Sequence, residues 1–239
     1  MPRFYVPFTP EPQQICALPD ATVRHIHVLR LRVGDPITLF NGDGRAYHAE
    51  LSLLEKRRAE CRITAVSAAE CESPLAVTLV QAVSGGERMD FTLQKSVELG
   101  VTAIQPVISS RSVVRLSGER ADKRQARWQE IVIAACEQCG RNRVPPVLPL
   151  LGFQEYLAAK PPQTHLIMSL NHARSLKSLP PPDKLSLLVG PEGGWTAEEE
   201  AAALAAGCQA FVLGQRVLRT ETASLAALAA MQTLWGDFV

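Results

Sequence analysis

The chain has 239 residues, of which 46% are hydrophobic and 21% are charged, and its formal net charge is +1. This composition is ordinary for a soluble globular protein, and the length allows one large domain or two modest ones. No apolar run approaches the length of a membrane span, and six cysteines are too few for a disulfide scaffold. The first residues lack the layout of a secretory signal, so we expect a cytoplasmic protein with reduced thiols.

The first 70 residues have the pattern of a small β-rich domain. Turn residues separate three short apolar runs, at 37–40, 47–51 and 61–66. Residues 41–44 (Asn-Gly-Asp-Gly) are a strong hairpin signal between two of these runs. One short helix is predicted over residues 20–29, with Asp20 as its N-cap. This pattern fits a small β-barrel, and the polar stretch at 70–74 predicts a domain boundary after residue 72.

Beyond this boundary, strand-like and helical patterns alternate. Helices are predicted over residues 89–99 and Glu119–Cys139, and a glycine ends each of them. The strand-like apolar runs lie at 75–83, 101–108, 165–169, 185–189 and 210–213. The alternation predicts an α/β domain with a mostly parallel sheet and helices on both faces.

A glycine-rich loop at 190–194 follows one of these predicted strands. Thr196 and Glu199 have the spacing of a capping box, so a helix is expected to begin at about residue 197. The loop lacks the lysine of a nucleotide-binding P-loop and the glycine spacing of a dinucleotide fold, and nearby glutamates would repel a phosphate. The sequence here fits either a ligand bound through backbone groups or a purely structural strand–turn–helix corner.

A second loop, at 213–222, connects a predicted strand to a predicted helix at 223–235. It carries more functional groups than such a connection needs. Thr220 or Thr222 could cap the helix, and Arg219 and Glu221 could pair at the surface. Because ligands of open α/β sheets bind beyond the carboxyl ends of the strands, both glycine loops are expected to face one ligand.

These two loops resemble the S-adenosylmethionine site of SPOUT-class RNA methyltransferases, and more narrowly the RsmE family of 16S rRNA (uridine-N3) methyltransferases. The matching residues are Gly-Pro-Glu-Gly-Gly at 190–194 and Leu-Gly-x-Arg-Val-Leu-Arg-x-Glu-Thr-Ala at 213–223. Residues 27–35 also match the family's N-terminal PUA-like barrel, and residues 95–101 and 134–142 match its methyltransferase domain.

The resemblance implies a fold and an activity. Residues 1–72 would form a PUA-like RNA-binding β-barrel, and residues 73–239 a SPOUT methyltransferase domain with a C-terminal trefoil knot. The implied cofactor is S-adenosylmethionine, and the implied substrate is a uridine of 16S rRNA, in naked rRNA or in the 30S subunit. Members of the family are homodimers in which the partner subunit completes each active site, and neither a metal nor a membrane is implied.

The resemblance also implies site residues. Those expected to hold the cofactor are Leu170, Leu188, Val189, Gly190, Pro191, Glu192, Gly193, Leu213, Gly214, Val217, Leu218, Arg219 and Thr222. Uracil N3 must lose its proton before it can accept a methyl group, and developing charge needs a nearby donor. Arg219 is the first candidate for charge stabilisation and Glu221 is a possible base. His172 is a more distant second candidate for the base.

A basic stretch at 111–143 has a local net charge of +4 and suits either an ordinary solvated helix face or phosphate contacts. With basic residues of the first domain, including those at 56–58, it predicts an RNA-binding set: Arg24, Arg30, Arg32, Arg111, Arg115, Arg141 and Arg143. Cys136 and Cys139 form a lone C-x-x-C within a helical pattern. Two apolar thiols are favoured there over metal or redox chemistry.

Two further functions remain open at this level. One is a SPOUT methyltransferase that acts on another RNA site or on a ribose 2′-hydroxyl. The other is a non-catalytic RNA-binding factor of ribosome assembly that has kept the fold. Intact glycine loops with Arg219 and Glu221 favour catalysis, and a nucleotide-binding enzyme is disfavoured because no phosphate-binding lysine is present.

Overall fold

The computed structural model describes residues 1–68, 70–114, 116–171 and 173–238. The chain divides into two compact units. The first contains Met1–Glu72 and Cys136–Val144, and the second contains Ser73–Ala135 and Pro145–Val239. One break falls at the predicted boundary after residue 72, whereas the transfer of Cys136–Val144 to the first unit was not foreseen.

The first unit is a small, mostly antiparallel sheet with one helix. Its strands are β1 (Arg3–Tyr5), β2 (Ile15–Ala17), β3 (Pro36–Phe40), β4 (Ala46–Leu54) and β5 (Ala59–Ser67). They follow the order β1-β3-β4-β5-β2, and β1 pairs with β3 in parallel. Closure into a barrel stays a prediction. Helix α1 (Asp20–Val28) forms as expected, but Pro19 occupies the N-cap position and no side chain caps it.

Asp20 is therefore the first helical residue rather than the cap. Its carboxylate is placed where the positive end of the helix dipole favours an anion. The predicted hairpin is confirmed, because β3 and β4 pair antiparallel on either side of the turn. Within that turn, Asn41 Oδ1 accepts from the Asp43 backbone N–H at 3.1 Å, and Asp43 Oδ2 accepts from the Tyr47 hydroxyl at 2.6 Å.

Polar contacts explain why Cys136–Val144 belongs to the first unit. Glu137 accepts from the Tyr5 backbone N–H at 2.9 Å, and Asn142 Oδ1 accepts from Arg3 at 2.6 Å. Arg141 is only 5% exposed and forms a two-pronged ion pair with Glu72, with Nε 2.9 Å from Oε1. These partners are about 70 to 140 residues apart in the chain, which is why no local pattern announces them.

The second unit is an α/β layer structure. Its strands are β6 (Ala76–Ala82), β7 (Ala103–Ile108), β8 (Leu151–Gly152), β9 (Thr164–Met168), β10 (Arg174–Ser175), β11 (Lys184–Val189) and β12 (Gln209–Val212). Its helices are α2 (Gly86–Glu98), α3 (Glu119–Cys139, which ends in the first unit), α4 (Phe153–Ala159), α5 (Ala197–Ala205) and α6 (Thr220–Trp235). The strand order is β10-β12-β9-β11-β6-β7-β8, and every pair is parallel.

Helices cover both faces of this sheet, as predicted. Val80 belongs to a buried cluster with Tyr156 of α4 and Ala203 of α5. The next residue, Gln81, points to the opposite face because successive strand residues alternate. There its Oε1 accepts a 2.6 Å hydrogen bond from Ser224 of α6. Among the described residues, no helix has the length and apolar character needed to cross a membrane.

Candidate functional site

Three neighbouring strands end at one edge of the second unit's sheet and build a cavity there. β12, β9 and β11 are adjacent and parallel, so the loops that follow them share this edge. These loops span residues 213–219, 169–171 and 190–196. They enclose a cavity of about 510 Å³. This is the position at which open α/β sheets bind ligands, and the volume is within the range of small-molecule sites.

Most of the predicted cofactor residues line this cavity. They are Leu170, Val189, Gly190, Pro191, Glu192, Gly193, Leu213, Gly214, Val217 and Leu218. Leu188, Arg219 and Thr222 do not line it. Leu188 is fully buried in the cluster with α4 and α5, because strand alternation turns it away from the neighbouring Val189. Thr222 is exposed on helix α6.

Several lining residues were not among the predicted cofactor residues, although Gly194, Arg216 and Thr220 belong to the two loops predicted to hold the cofactor. These additional lining residues are Arg111, Met168, Ser169, Asn171, Gly194, Trp195, Glu200, Val212, Arg216, Thr220, Ala223 and Ala226. Residues 168–171 carried a usable signal, because they follow a predicted strand of the same parallel sheet. Arg111 was assigned to RNA instead, and nothing local to it indicates the loop that it contacts 82 residues away.

The 190–196 loop is a tight turn that requires glycine. A Cβ atom on Gly190 would lie 3.2 Å from the Trp195 backbone nitrogen, closer than ordinary packing allows. Gly194 has φ +68°, a conformation that costs other residues about 1–2 kcal/mol. The predicted capping box is confirmed, since Thr196 Oγ1 accepts from the Glu199 N–H and Glu199 accepts from the Thr196 N–H. Helix α5 therefore begins at Ala197.

Residues of the loop after β7 form hydrogen bonds with the 190–196 loop and with the helix that follows it. The Arg111 guanidinium donates to the carbonyl oxygens of Gly193 at 2.8 Å and Trp195 at 3.1 Å. Nearby, the Ser110 backbone N–H donates to the buried Glu199 carboxylate at 2.7 Å. Arg111, which was expected to contact RNA, thus holds the cavity wall in place through its guanidinium.

Glu192 ties the loop to the start of helix α2. Its Oε1 accepts from the Gly85 backbone N–H at 2.9 Å and from Arg88 at 3.1 Å. Partial burial alone would raise the pKa of Glu192, but these hydrogen bonds and the Arg88 charge hold that pKa below its ordinary value. The Glu192 carboxylate is therefore ionised and already bound within the chain.

A buried polar network joins the two glycine loops. The Thr220 hydroxyl donates to the Gly190 carbonyl at 2.6 Å and accepts from Gln81 Nε2 at 3.0 Å. The predicted cap of the last helix is wrong, because Arg219 occupies the N-cap position and no side chain caps there. Thr220 is instead the first residue of α6, and its hydroxyl serves the link to Gly190.

The two predicted catalytic residues lie beside the cavity rather than on its lining. Arg219 is exposed, and its guanidinium has no hydrogen-bond partner in the described part of the chain. Glu221 is half-buried on the first turn of α6, and its Oε2 atom is buried with no partner among the described residues. His172 lies outside the described residues. The structure therefore leaves Arg219 available to a ligand.

The predicted RNA-binding arginines differ in their availability. Arg24, Arg30 and Arg32 are exposed on the first unit. Arg143 is half-exposed but is paired with Glu70. The burial of Arg141 against Glu72 is at odds with a direct phosphate contact. Arg115 lies outside the described residues.

The C-x-x-C pair lies near the end of helix α3. Cys136 is buried, and burial raises the pKa of its thiol to about 12, so the thiol stays protonated. Cys139 is half-buried, and both are free cysteines. Among the described residues, no group of three or more His, Cys, Asp or Glu side chains is placed to hold a metal ion.

Comparison with known proteins agrees with this architecture. A family model described as an RNA methyltransferase domain matches residues 71–232, and one described as an RNA methyltransferase PUA domain matches residues 18–64. Ribosomal RNA small subunit methyltransferase E of Buchnera aphidicola (strain APS) is 31% identical, over 100% of this chain and 95% of that protein. This chain belongs to the ribosomal RNA small subunit methyltransferase E family. The Bacillus subtilis member is also 31% identical, over 97% of this chain and 96% of that protein.

Two similar solved structures contain bound S-adenosylmethionine. The methyltransferase E of Neisseria gonorrhoeae, bound to S-adenosylmethionine, is 60% identical and superposes with a TM-score of 0.97 over 100% of both chains. A putative methyltransferase of Legionella pneumophila, also in complex with that cofactor, is 37% identical with a TM-score of 0.95, over 99% of this chain and 98% of that one. Members of this family thus share the fold that builds the cavity.

Proposed function

We propose that this protein transfers a methyl group from S-adenosylmethionine to N3 of a specific uridine in the 16S rRNA of the small ribosomal subunit. The observation that carries the proposal is the cavity where the 169–171, 190–196 and 213–219 loops converge, in a chain 60% identical to a methyltransferase E bound to that cofactor. The domain roles follow, with residues 1–72 as the RNA-binding domain and residues 73–239 as the methyltransferase domain with its trefoil knot.

The cavity fits the cofactor in size and chemistry. A volume of about 510 Å³ accommodates a nucleoside carrying an amino-acid chain. Open space lies above Gly214, where a Cβ atom would meet nothing within 4 Å, so a ligand can approach the backbone there. Leu213, Gly214 and Leu218 would bind the adenine through backbone groups, and the 190–194 loop would hold the remainder.

The reaction requires stabilisation of the negative charge that develops on uracil and access to its N3 atom. Bound S-adenosylmethionine would supply a methyl group on a sulfonium. Uracil N3 loses its proton to a base, for which Glu221 is the candidate, and takes that methyl group, so that S-adenosylhomocysteine remains. Arg219 stabilises negative charge that develops on the uracil carbonyl oxygens as the proton leaves. Its exposure beside the cavity and its free guanidinium support this role. The target base must be unpaired or flipped, since pairing covers N3.

The exposed arginines of the first unit position the RNA by contacts to phosphates. Arg30 is the most informative of them, because it has φ +57°, a conformation that costs a residue other than glycine about 1–2 kcal/mol. Glycine adopts this conformation without strain, so a glycine variant removes the exposed guanidinium and keeps the backbone.

Replacing Arg30 with glycine separates binding from folding. Arg30→Gly is expected to leave the free energy of unfolding unchanged or to raise it by up to about 1 kcal/mol, and to weaken rRNA binding. Gln13→Gly is the matched control, since Gln13 is also exposed and has φ +62°. The control should keep full rRNA affinity. Equal affinity in both variants, measured by filter binding across a salt series, would remove Arg30 from the RNA contact.

Homodimerisation is part of the proposal. Val217 is 83% exposed and Leu170 is 54% exposed, and both apolar side chains line the cavity. A second copy that covers them would complete the site for RNA. Sedimentation equilibrium of the purified protein is expected to give twice the mass of the chain, and a single-chain mass at micromolar concentration would contradict the dimer.

Primer extension provides the direct test of the reaction. Unmethylated 30S subunits and naked 16S rRNA are incubated with the protein and S-adenosylmethionine, and reverse transcription then maps the modified base. Methylation at N3 blocks Watson–Crick pairing, so one strong stop at a single uridine is expected. No stop in either substrate would overturn the proposed reaction, and a modification without a stop would favour a different site of methylation.

A further inference from the structure

Glu200 is a carboxylate on the cavity wall that the proposed chemistry has not yet used. It lies in the first turns of helix α5 and is half-buried. Its Oε1 accepts from the Ser169 hydroxyl at 3.0 Å, and its Oε2 accepts from Asn171 Nδ2 at 3.1 Å. Both donors are neutral. They fix the position of the carboxylate without cancelling its charge.

The other ionic groups on the wall are engaged differently. Glu192 is paired with Arg88 and bound by the Gly85 N–H. Arg111 donates to two backbone carbonyls of the 190–196 loop, and Arg216 is exposed. Among the described residues that line the cavity, Glu200 is therefore the carboxylate for which the described part of the chain provides no cationic partner.

We infer that Glu200 distinguishes the methyl donor from its product by charge, favouring the cationic sulfonium of S-adenosylmethionine over the neutral sulfide of S-adenosylhomocysteine. This inference rests on the proposed function. The two molecules share their adenosine and amino-acid parts and differ by one methyl group and one positive charge. A carboxylate on the wall attracts the donor and loses that attraction once the methyl group has left. The charge thus favours loading of the donor and release of the product.

The size of the cavity sets the expected magnitude. A sphere of 510 Å³ is about 10 Å across, so about 10 Å serves as the order-of-magnitude separation between the Glu200 carboxylate and a sulfonium bound in this cavity. A unit charge at that distance, with an effective dielectric constant of about 20, changes the affinity for a cation by about tenfold. Removing the Glu200 charge changes the preference by this amount whatever the fixed charges elsewhere on the wall.

Calorimetric binding of three ligands tests the inference. S-adenosylmethionine and sinefungin carry a positive charge at the reacting position, and S-adenosylhomocysteine does not. Glu200→Gln is expected to weaken the first two about tenfold and to change the third by less than about twofold. Glu198→Gln is the matched control, because Glu198 is an exposed carboxylate in the same turn of α5 and does not line the cavity. The control should leave all three affinities within about twofold.

A second variant separates charge from local structure. Glu200→Asp keeps the charge but shortens the side chain that reaches Ser169 and Asn171. It should retain most of the preference for S-adenosylmethionine over S-adenosylhomocysteine, whereas loss of the preference in both variants would assign Glu200 a structural role. Equal weakening of all three ligands in Glu200→Gln, or no weakening, would overturn the inference. If the unaltered protein bound none of the three, the proposed function itself would fail.

Discussion

The loops at 190–196 and 213–219 face the same cavity, but the chain holds them in different ways. Arg111, Glu192 and Thr220 fasten the first loop to the β7 loop, to helix α2 and to helix α6. The second loop has no side-chain hydrogen bond or ion pair in the described part of the chain, and residues 214–217 are exposed. The 190–196 loop, the built wall, is therefore held in place before a ligand binds. The 213–219 loop, the free wall, can close on a ligand, on RNA or on a second subunit.

The largest expected effect comes from the free wall. Arg219→Ala removes a guanidinium that has no structural partner among the described residues, so folding and cofactor affinity should change little. Methyl transfer should fall at least about 100-fold, the usual cost of losing one donor to developing negative charge. Single-turnover transfer of labelled methyl to 30S subunits, beside calorimetric binding of S-adenosylmethionine, separates the two effects. Near-normal turnover would remove Arg219 from the chemistry.

The second-largest effect is expected at Thr220, whose hydroxyl links the 190–196 loop to the start of helix α6. Thr220→Val deletes the hydroxyl that bridges Gly190 and Gln81, and it leaves a partly buried carbonyl and a buried amide without that partner. The free energy of unfolding should fall by about 1–3 kcal/mol, and cofactor affinity should fall with it. Thr233→Val is the control, because Thr233 is an exposed threonine on the same helix. Urea denaturation that gave equal values for both variants would contradict a stabilising bridge.

A smaller effect is expected from the built wall. Arg111→Ala removes both hydrogen bonds to the 190–196 loop and should weaken S-adenosylmethionine binding by about three- to tenfold, because the wall must then be ordered on binding. Arg111→Lys keeps one charged donor, so its affinity for S-adenosylmethionine should lie between the affinities of the unaltered protein and of Arg111→Ala. Arg120→Ala, at an exposed position of helix α3, controls for the loss of a basic charge near RNA. If Arg111→Ala impaired only RNA binding, its predicted role in phosphate contact would stand instead.

The smallest effect concerns acid stability. Because hydrogen bonds and Arg88 hold the pKa of Glu192 below its ordinary value, this carboxylate stabilises the fold above about pH 4.3 and loses that contribution as the pH falls further. Glu192→Gln should therefore flatten the decline in stability below about pH 4.3. At pH 7 it should cost less than about 1 kcal/mol, since the pair is partly exposed. An unchanged acid profile in the variant would show that the contact contributes nothing.

Local signals predicted well what depends on neighbours in the chain. The capping box of Thr196 and Glu199, the hairpin at 41–44 and the span of helix α3 are set by residues a few positions apart. The alternation of strands and helices sufficed to place both glycine loops at one edge of a parallel sheet.

Contacts between distant residues were not predictable in this way. Thr220 bonds Gly190 across 30 residues, and Arg141 meets Glu72 across 69 residues. Local patterns indicated a plausible role for each, Thr220 as a helix cap and Arg141 as an RNA contact. The tertiary contacts override these roles. Arg111 and Glu200 line the cavity only because separate loops of one sheet converge there.

Amide hydrogen exchange tests the central claim most directly, since it reports on both loops in one experiment. Without ligand, the amides of 190–196 should exchange slowly and those of 213–218 quickly. Saturating S-adenosylmethionine should slow exchange in 213–218 by at least about tenfold and should change 190–196 by much less. Protection of only the 190–196 loop, or of neither loop, would contradict a pocket made from one built wall and one wall that closes on the methyl donor.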